Sequence, residues 1–391
     1  WLKPSSRPSR SRARVIMIIR YLAPAAAVAI LGTGVFFLLW YRWRWTMQVF
    51  GIIPDDPPQG IMQDPEAAAR ATVIGSKSGS VVAASAASTA PMIVIEQADD
   101  ANRGEQFSYE VLKTACQGWA ASLVVGTGGA ASVFGTTLPK FGRVAVKRFH
   151  MGQRGSDTDF VRELDALCQC RHPHILEIIG RSHEGPENII VMPMMEGGAL
   201  NQAMPRMQWS RRAVACGQVA RAISFLHGKR IVHRDIKSSN ILLDQTLRYA
   251  RLSDFGLAKE QVKHSGHSTT GVIVGSPGYM APELMMRPAN EKTDAFSFGV
   301  VLLEVLTGLP AWDGAKEIVS LSERAIADGQ FQAQLLDASA GWPPKEASAV
   351  SSQAESMTNF DPSRRRTVVA LEQDAGYRAH LDRSEQQAAS S

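Results

Sequence analysis

Apolar and polar positions along the 391-residue chain change in pattern several times, and the first change lies near the N-terminus. The stretch Tyr21–Tyr41 contains no charged side chain and is rich in Ala, Val, Leu, Ile and Phe. As a helix it would span roughly 30 Å, the thickness of the hydrocarbon layer of a bilayer. Trp43 and Trp45 follow directly, where interfacial aromatic anchors lie. The pattern predicts a transmembrane helix; a signal peptide is the alternative, although its apolar core would be shorter.

Two further patterns divide the rest of the chain. Residues 42–106 are rich in Pro, Ala, Ser and Gly without sustained periodicity, which predicts a disordered juxtamembrane linker. From Phe107 short apolar runs alternate with glycine turns, which predicts an antiparallel sheet. Helical spacing follows, with a long apolar helix over 294–307. We therefore predict an α+β fold over 107–375, with a small β-rich lobe and a larger helical lobe, and a polar tail over 376–391.

The net charge of +5 has its origin at the N-terminus. Residues 1–45 contain eight basic side chains and no acidic one, whereas the rest of the chain contains 34 basic and 37 acidic side chains. An anionic membrane surface attracts a basic segment such as 1–20 beside an apolar helix. Because the rest of the chain is slightly acidic, we expect no nucleic-acid partner.

A glycine-rich segment between two predicted strands is the first candidate site. It reads Gly-Thr-Gly-Gly-Ala-Ala-Ser-Val over 126–133, and Gly126 and Gly128 would let the backbone approach phosphate oxygens closely. Alone this signal is weak, because plain hairpins also contain glycines. The apolar strand Val144–Lys147 follows, and a lysine at the end of such a strand can reach nucleotide phosphates. Its expected partner is an acid on the next helix, and Glu163 has a suitable spacing.

Three further motifs occur in order along the chain. They are His233–Asn240, Asp254–Gly256 and Ala281–Glu283. Asp235 would accept or orient the proton of a substrate hydroxyl, and Lys237 would neutralise charge on a transferring phosphoryl group. Asn240 and Asp254 would hold a magnesium ion. An Asp-Phe-Gly tripeptide alone is a common turn, but the ordered set at these spacings is very improbable by chance.

The ordered set resembles the eukaryotic protein kinase family over about residues 118–375. More narrowly, it resembles the receptor-like kinase/Pelle group, which is similar to the interleukin-1-receptor-associated kinases. The segments that carry this likeness are Phe107–Leu112, Gly142–Arg148, His233–Asp244, Gly278–Glu283 and Asp294–Glu304. The resemblance implies a bilobal kinase fold, with ATP as cofactor and Mg²⁺, or alternatively Mn²⁺, as metal. It also implies transfer of the ATP γ-phosphoryl group to protein hydroxyls.

The resemblance assigns roles that spacing alone does not. The implied catalytic residues are Asp235, Lys237, Lys147 and Glu163. The implied ATP-binding residues are Gly126, Gly128, Val133, Ala145, Lys147, Met192, Met194 and Leu242, and the metal ligands are Asn240 and Asp254. The implied structural and regulatory residues are His233, Arg234, Phe255, Gly256, Glu283, Asp294 and Arg365. Among these, Asp294 should hold the backbone of the catalytic loop, and Glu283 should form a buried pair with Arg365.

Two positions favour serine/threonine substrates. Lys237 stands two residues after the catalytic aspartate, and Ser276 precedes Pro-Gly-Tyr, as in serine/threonine kinases. The candidate phosphosites are Ser268, Thr269, Thr270 and Ser276. Phosphate on this segment would pair with Arg234 and order it.

One departure from the family pattern supports an alternative function. Ala131 stands where a third loop glycine is usual, and we expect slower turnover or weaker ATP binding from its methyl group. A pseudokinase or scaffold receptor module, which binds nucleotide without efficient catalysis, is therefore the alternative. The intact Lys147, Asp235, Asn240 and Asp254 argue against it.

The expected location follows from this chemistry. The positive-inside rule, counted over all basic residues, would place the N-terminus in the cytosol. Counted from Met17, only Arg20 precedes the apolar helix, against Arg42 and Arg44 after it. Because ATP is cytosolic, we expect a single-pass membrane protein with a cytosolic kinase domain, anchored by Tyr21–Tyr41. A homodimer or a co-receptor is the expected partner for trans-phosphorylation.

Overall fold

The computed structural model describes residues 104–150, 156–260 and 275–390. The basic segment 1–20 and the predicted transmembrane helix Tyr21–Tyr41 lie outside these ranges, as does nearly all of the predicted linker. Within the three described ranges, no helix combines the length and the apolar composition needed to cross a bilayer.

Strands dominate the first part of the described chain and helices the second. The strands are β1 (Glu105–Gln106), β2 (Val124–Thr127), β3 (Ala131–Leu138), β4 (Gly142–Phe149), β5 (Gly180–Ser182), β6 (Ile189–Pro193), β7 (Gly198–Ala199), β8 (Ile231–Val232), β9 (Ile241–Leu243), β10 (Ala250–Leu252) and β11 (Lys259–Glu260). The α-helices are α1 (Tyr109–Ala115), α2 (Ser156–Gln169), α3 (Leu200–Ala203), α4 (Trp209–Gly228), α5 (Glu291–Thr307), α6 (Ile318–Ala327), α7 (Phe331–Gln334), α8 (Pro344–Met357), α9 (Val368–Gln373) and α10 (Ala375–Ser390). The predicted β-rich and helical lobes are therefore confirmed.

The first lobe is a six-stranded sheet in the order β1-β5-β6-β4-β3-β2. Its neighbours are antiparallel, except that β1 lies parallel to β5 at the edge. The predicted antiparallel sheet is thus present. Because β1 begins at Glu105 and pairs with Gly180, the sheet includes residues before the boundary predicted at residue 107.

Alternation along β4 decides which of its side chains pack under the sheet and which lie on the opposite face. Val144 and Val146 are fully buried under the sheet, in a cluster with Phe134 and Leu112. Successive side chains of a strand point to opposite faces, so Lys147 points away from that cluster. Burial of such apolar side chains contributes about 1.5–3 kcal/mol each, which holds the register of the strand and therefore the position of the lysine.

Helix α2 presents a carboxylate from an apolar face. Phe160, Leu164 and Leu167 recur at helical spacing and are buried in the main core. Glu163 lies beside them and is also buried, 1% exposed. A carboxylate buried among apolar side chains is costly unless a cation neutralises it, so we expect Glu163 to have a cationic partner.

Helix α5 forms the centre of the second lobe. Its residues from Thr293 to Thr307 are all buried. Asn290 and Thr293 form a capping box at its start, and Gly308, at φ +69°, ends it in the left-handed conformation that glycine adopts without strain. The helix packs against α4, α6 and α8, which makes it a rigid base for the loops that follow β8 and precede it.

The C-terminal segment differs from the polar tail predicted over 376–391. It forms α10, which packs against α4 with Tyr377, His380 and Leu381 buried. Gly217 on α4 makes this contact close, because a Cβ atom there would lie 2.6 Å from Leu381 Cδ2. The carboxylate of Glu346 accepts hydrogen bonds from Arg383 and pairs with His380. The helical lobe therefore extends to residue 390.

The Glu283–Arg365 pair ties the segment before α5 to the loop after α8. The Arg365 guanidinium donates to both carboxylate oxygens of Glu283 and also to the carbonyl oxygens of Asn359 and Lys292. Arg365 is 1% exposed. All these acceptors would lose a donor together if the guanidinium were removed.

We expect Arg365→Ala to lower the free energy of unfolding by about 3–5 kcal/mol, because it leaves the carboxylate of Glu283 buried and unpaired. Urea denaturation of the full chain measures this. The neighbouring Arg364, whose side chain is 79% exposed, is the matched control, and Arg364→Ala should change the free energy by less than about 1 kcal/mol. Equal effects of the two variants would contradict the structural role of the pair.

Candidate active site

The loop after β8 has a strained backbone that is held by one carboxylate. Arg234 has a φ of 71°, in the left-handed region that non-glycine residues rarely occupy. Asp294 accepts hydrogen bonds from the backbone N–H groups of His233, at 2.8 Å, and Arg234, at 2.9 Å. Its carboxylate also contacts His227 Nε2 at 2.9 Å. Asp294 is 1% exposed and comes from the first turn of α5, so the central helix determines the shape of this loop.

Four side chains converge at the end of this loop. Lys237 Nζ donates to Asp235 Oδ2 at 2.7 Å and to Ser276 Oγ at 2.8 Å, and Ser276 Oγ donates to Asp235 Oδ1 at 2.8 Å. Asn240 Nδ2 donates to the backbone oxygen of Asp235 at 2.9 Å and to its Oδ2 at 3.1 Å. Asp235 is therefore an orientated, hydrogen-bonded carboxylate, suited to receive or position a proton.

A second group of charges comes from β4, from α2 and from the segment after β10. Lys147 Nζ is 2.6 Å from Glu163 Oε2 and 3.0 Å from Asp254 Oδ1. Burial alone would lower the pKa of Lys147, but the two carboxylates outweigh it and raise the pKa, so the side chain remains an ammonium ion. Burial likewise opposes ionisation of Asp254, yet the charge of Lys147 holds its pKa below the ordinary value. An ammonium and an ionised carboxylate thus lie side by side.

Asp254 has a φ of 63°, also in the left-handed region. Phe255, the next residue, is fully buried and makes an edge contact with the ring of His233, at 4.8 Å between centroids. Burial lowers the pKa of His233, whose neutral ring contacts the carbonyl oxygen of Ser253 through Nε2 at 3.1 Å. Leu167 of α2 is buried in the same core. Packing of this kind holds Asp254 in its strained conformation.

Helix α2 reaches the same segment through a second contact. Arg162 Nη1 donates to the carbonyl oxygen of Gly256 at 2.6 Å. A Cβ atom at Gly256 would lie 3.7 Å from Asp254 Oδ1 and 3.8 Å from Glu163 Oε2, which is ordinary contact. The position of α2 therefore affects Asp254 in two ways. Glu163 holds the lysine that pairs with Asp254, and Arg162 holds the backbone at Gly256.

The remaining predicted residues belong to the strands and turns of the sheet lobe and to β9. Met192, at the end of β6, is 6% exposed, and β6 pairs with β4 so that Ala145 lies opposite Met192. Val133, Met194 and Leu242 are half-buried. The N–H group of Gly128 donates to the carbonyl oxygen of Ala131 at 2.9 Å, which closes the turn between β2 and β3. Val133, Ala145, Met192, Met194 and Leu242 are the predicted adenine-binding residues, and this set is called the apolar slot below.

The methyl group of Ala131 does not lie in solvent. Ala131 is 4% exposed and belongs to the main core together with Phe149, its partner across β3 and β4. The extra methyl group is thus accommodated by packing at the base of the glycine loop. The effect on turnover that the sequence predicts remains a prediction.

A family profile described as protein kinase domain matches residues 119–375. The chain belongs to the protein kinase family. A probable receptor-like protein kinase of Arabidopsis thaliana is 37% identical over 235 residues, which are 57% of this chain and 29% of the relative. A probable LRR receptor-like serine/threonine-protein kinase of the same plant is 39% identical over 216 residues, 53% of this chain and 21% of the relative. The leucine-rich repeat receptor protein kinase MSL1 of Oryza sativa subsp. japonica is 40% identical over 207 residues, 49% of this chain and 14% of the relative.

These similarities confirm the resemblance to receptor-like kinases that the motifs indicate. The chain spans less than a third of the length of these curated relatives. What is similar is therefore the kinase domain.

Within the described ranges, no group of three or more His, Cys, Asp or Glu side chains is placed to hold a metal. Asn240 and Asp254 nevertheless suit a magnesium ion, which commonly binds one or two protein carboxylates and completes its shell with phosphates and water. Because the Asn240 amide nitrogen donates to Asp235, its oxygen is the atom left for a cation. The Asp254 side chain is 44% exposed whereas Asn240 is 6% exposed, so Asp254 is the more accessible of the two predicted oxygen ligands.

The kinase domain also contains a buried network that the motifs did not predict. Tyr279 OH donates to Glu304 Oε1 at 2.8 Å and is 3.0 Å from Ser238 Oγ, so it joins α5 to the catalytic loop. The other carboxylate oxygen, Glu304 Oε2, is buried without a hydrogen-bond partner. Burial, only partly offset by the bonds from Tyr279 and Ser238, raises the pKa of Glu304 to about 7 from an ordinary 4.5.

Because the pKa of Glu304 is higher in the folded chain than in the unfolded chain, the free energy of unfolding depends on pH. Glu304 keeps its proton in the folded state while it ionises in the unfolded state, so stability should fall as the pH rises from about 4.5 to about 7, by on the order of 3 kcal/mol. In Glu304→Gln this loss should be absent. Urea denaturation across that range measures the difference, with the exposed Glu291→Gln on the same helix as control. Parallel pH profiles for wild type and Glu304→Gln would refute the raised pKa.

Proposed function

We propose that this chain is a membrane-anchored serine/threonine protein kinase that transfers the γ-phosphoryl group of ATP to serine and threonine hydroxyls of protein substrates. The observation that carries the proposal is that two groups of charges are linked through neighbouring residues. One is the Asp235–Lys237–Ser276 triangle and the other is the Lys147–Glu163–Asp254 chain. Ser253, the residue before Asp254, donates to the carbonyl oxygen of Asn240 at 2.9 Å. Phosphoryl transfer requires a positioned hydroxyl together with stabilised phosphate charge, and this arrangement supports both.

Each of these residues has a separate role in the proposed phosphoryl transfer. Asp235 orients the attacking hydroxyl and receives its proton, while Lys237 places positive charge near the transferred group. Lys147, held by Glu163, positions the phosphates. Mg²⁺ would be held by Asn240 and Asp254 and would neutralise phosphate charge; Mn²⁺ would suit the same oxygen ligands.

The adenine end of the nucleotide would lie in the apolar slot. Val133 and Ala145 from the sheet and Leu242 from β9 would enclose the ring, with Met192 at the back and Met194 in the connection between the lobes. The turn at Gly126 and Gly128 would cover the phosphates. These assignments rest on the family likeness and on the half-buried state of the side chains.

Ser276 has a positioning role in this proposal. Its hydroxyl already binds both Asp235 and Lys237, and a phosphate there would bring a charge of about −2 beside the catalytic carboxylate. The other candidate phosphosites, Ser268, Thr269 and Thr270, lie outside the described residues. Phosphate on that segment would pair with Arg234, which is half-buried and lies near Arg162.

Membrane attachment through Tyr21–Tyr41, with the kinase domain in the cytosol, completes the proposal. It is supported by the uncharged apolar stretch and by the names of the relatives, which are receptor-like kinases. A receptor-type signalling role follows, with a homodimer or co-receptor as the partner for trans-phosphorylation. No nucleic-acid partner is proposed.

Incubation of the full chain with labelled ATP and Mg²⁺, followed by identification of the labelled amino acids, tests the activity. We expect label on serine and threonine in the wild type and none in Asp254→Asn, which loses a metal ligand without changing the size of the side chain. Nucleotide binding without any label, on the full chain or on added protein substrates, would support the pseudokinase alternative instead.

A further inference from the structure

A cavity of about 320 Å³ lies in the helical lobe between α5, α6 and α8. Its walls include Leu303 of α5, Val319 and Ile326 of α6, and Phe360 in the loop after α8. Phe360 is 49% exposed, although its side chain is large and apolar. These walls can receive an aliphatic chain from solvent and present an aromatic face at the rim.

Two carboxylates also line this cavity, Glu323 from α6 and Glu355 from α8. Neither forms an ion pair with another residue in the described ranges, and no Lys or Arg is among the lining residues. The two carboxylates are like charges on the wall of one cavity, and burial together with the charge of Glu355 raises the pKa of Glu323. A cation between them would relieve this repulsion.

A buried hydroxyl lies among the same lining side chains. Ser322 is 2% exposed, and its Oγ atom has no hydrogen-bond partner. The neighbouring Thr358 hydroxyl, by contrast, donates to the carbonyl oxygen of Ala354 at 3.0 Å. A buried hydroxyl without a partner costs free energy, so the free acceptor of Ser322 points to a donor that comes from outside the fold.

We propose that this cavity binds the side chain of an arginine from a protein partner. The guanidinium group would lie between Glu323 and Glu355 and donate to Ser322 Oγ, while its alkyl stem would contact Leu303 and Val319. Arginine fits better than a metal ion, because the walls are apolar. It fits better than lysine, because its five donors serve several acceptors at once and its plane can stack on Phe360. None of these residues belongs to the catalytic set, so this interaction surface is independent of the proposed activity.

The probe for this site is the peptide acetyl-Gly-Ala-Arg-Ala-Gly-amide, titrated against the full chain by ligand-observed NMR. The matched peptide with citrulline has nearly the same shape but no charge. We expect the arginine peptide to bind at least about tenfold more tightly, since a charge-assisted hydrogen bond is lost in the citrulline peptide. Equal binding of the two peptides would overturn the proposal. Agmatine binding more tightly than the peptide would assign the site to a small guanidinium compound and overturn the protein partner.

Variants locate the binding in this cavity. Glu323→Gln/Glu355→Gln should weaken binding of the arginine peptide at least about tenfold, whereas Glu184→Gln, which neutralises an exposed acid in the sheet lobe, should leave it unchanged. Undiminished binding by the double variant would place the peptide elsewhere. Phosphate transfer should be the same in all these variants, so a failure of this proposal is distinct from a failure of the proposed kinase activity.

Ser322→Ala separates a binding role from a structural one. Because the hydroxyl has no partner within the fold, its removal should not lower the unfolding temperature of the free chain. It should nevertheless weaken binding of the arginine peptide several-fold. A lower unfolding temperature with unchanged peptide affinity would show that Ser322 serves the packing of α6 and would contradict its role as a ligand.

Discussion

Replacing Asp235 by asparagine should lower phosphate transfer by about 10²- to 10⁴-fold, the range expected when a positioned proton acceptor is removed. The substitution keeps the size of the side chain, and an amide oxygen can still accept from Ser276 or Lys237. What it removes is the negative charge that receives the proton. The initial rate of label transfer from ATP to protein measures the effect.

The Asp235→Asn variant should remain folded and should still bind nucleotide, because the proposed nucleotide contacts lie with Lys147 and the apolar slot. Its unfolding temperature and its affinity for ATP are therefore part of the test. Asp382→Asn, an exposed aspartate on α10, is the control for the chemical change. A variant with wild-type transfer rate would show that Asp235 is not the proton acceptor.

The sequence predicts those parts of the site in which one short segment determines how its own side chains are placed. The loop His233–Asn240 places Asp235, Lys237 and Asn240 within one turn, so their order along the chain already implies that they lie together. The strand Val144–Lys147 likewise implies the face of its lysine, because alternation with buried valines leaves one orientation.

The helix α10 could not be predicted because its apolar side chains are few. Tyr377, Leu381 and Ala388 are its buried apolar residues in an otherwise polar stretch that ends in Ala and Ser. The decisive feature lies far away in the sequence, at Gly217, whose missing side chain makes room for Leu381. Complementarity of this kind depends on two distant segments and cannot be deduced from either of them alone.

The Tyr279–Glu304 contact also depends on tertiary structure. One signal was nevertheless present, since Glu304 is an ionisable residue within the apolar run Val300–Leu306. Such a residue is rarely buried without a partner. The sequence could therefore have indicated a buried acid on this helix, but not that its partner would come from the segment carrying Tyr279.

Lys147→Met should abolish phosphate transfer and also destabilise the fold, because the lysine has two functions. In the proposed mechanism it positions the phosphates, and in the fold it neutralises Glu163, which is 1% exposed. Removing one partner of a buried pair costs about 3–5 kcal/mol. The exposed Lys140, whose side chain is 73% exposed and which pairs with Glu105 on the same sheet, is the matched control. Lys140→Met should cost less than about 1 kcal/mol and leave transfer unchanged.

The pH dependence of that destabilisation identifies its cause. Burial raises the pKa of Glu163 and the charge of Lys147 opposes the rise, so the pKa should rise further in Lys147→Met. The folded variant then binds a proton that the unfolded chain releases, and its stability deficit should shrink as the pH falls towards 5. In Lys147→Met/Glu163→Gln the deficit should be smaller and independent of pH, while phosphate transfer stays absent. If the double variant were as unstable as the single one at pH 7.5, the buried charge would not be the cause, and the lost packing of the lysine stem would be.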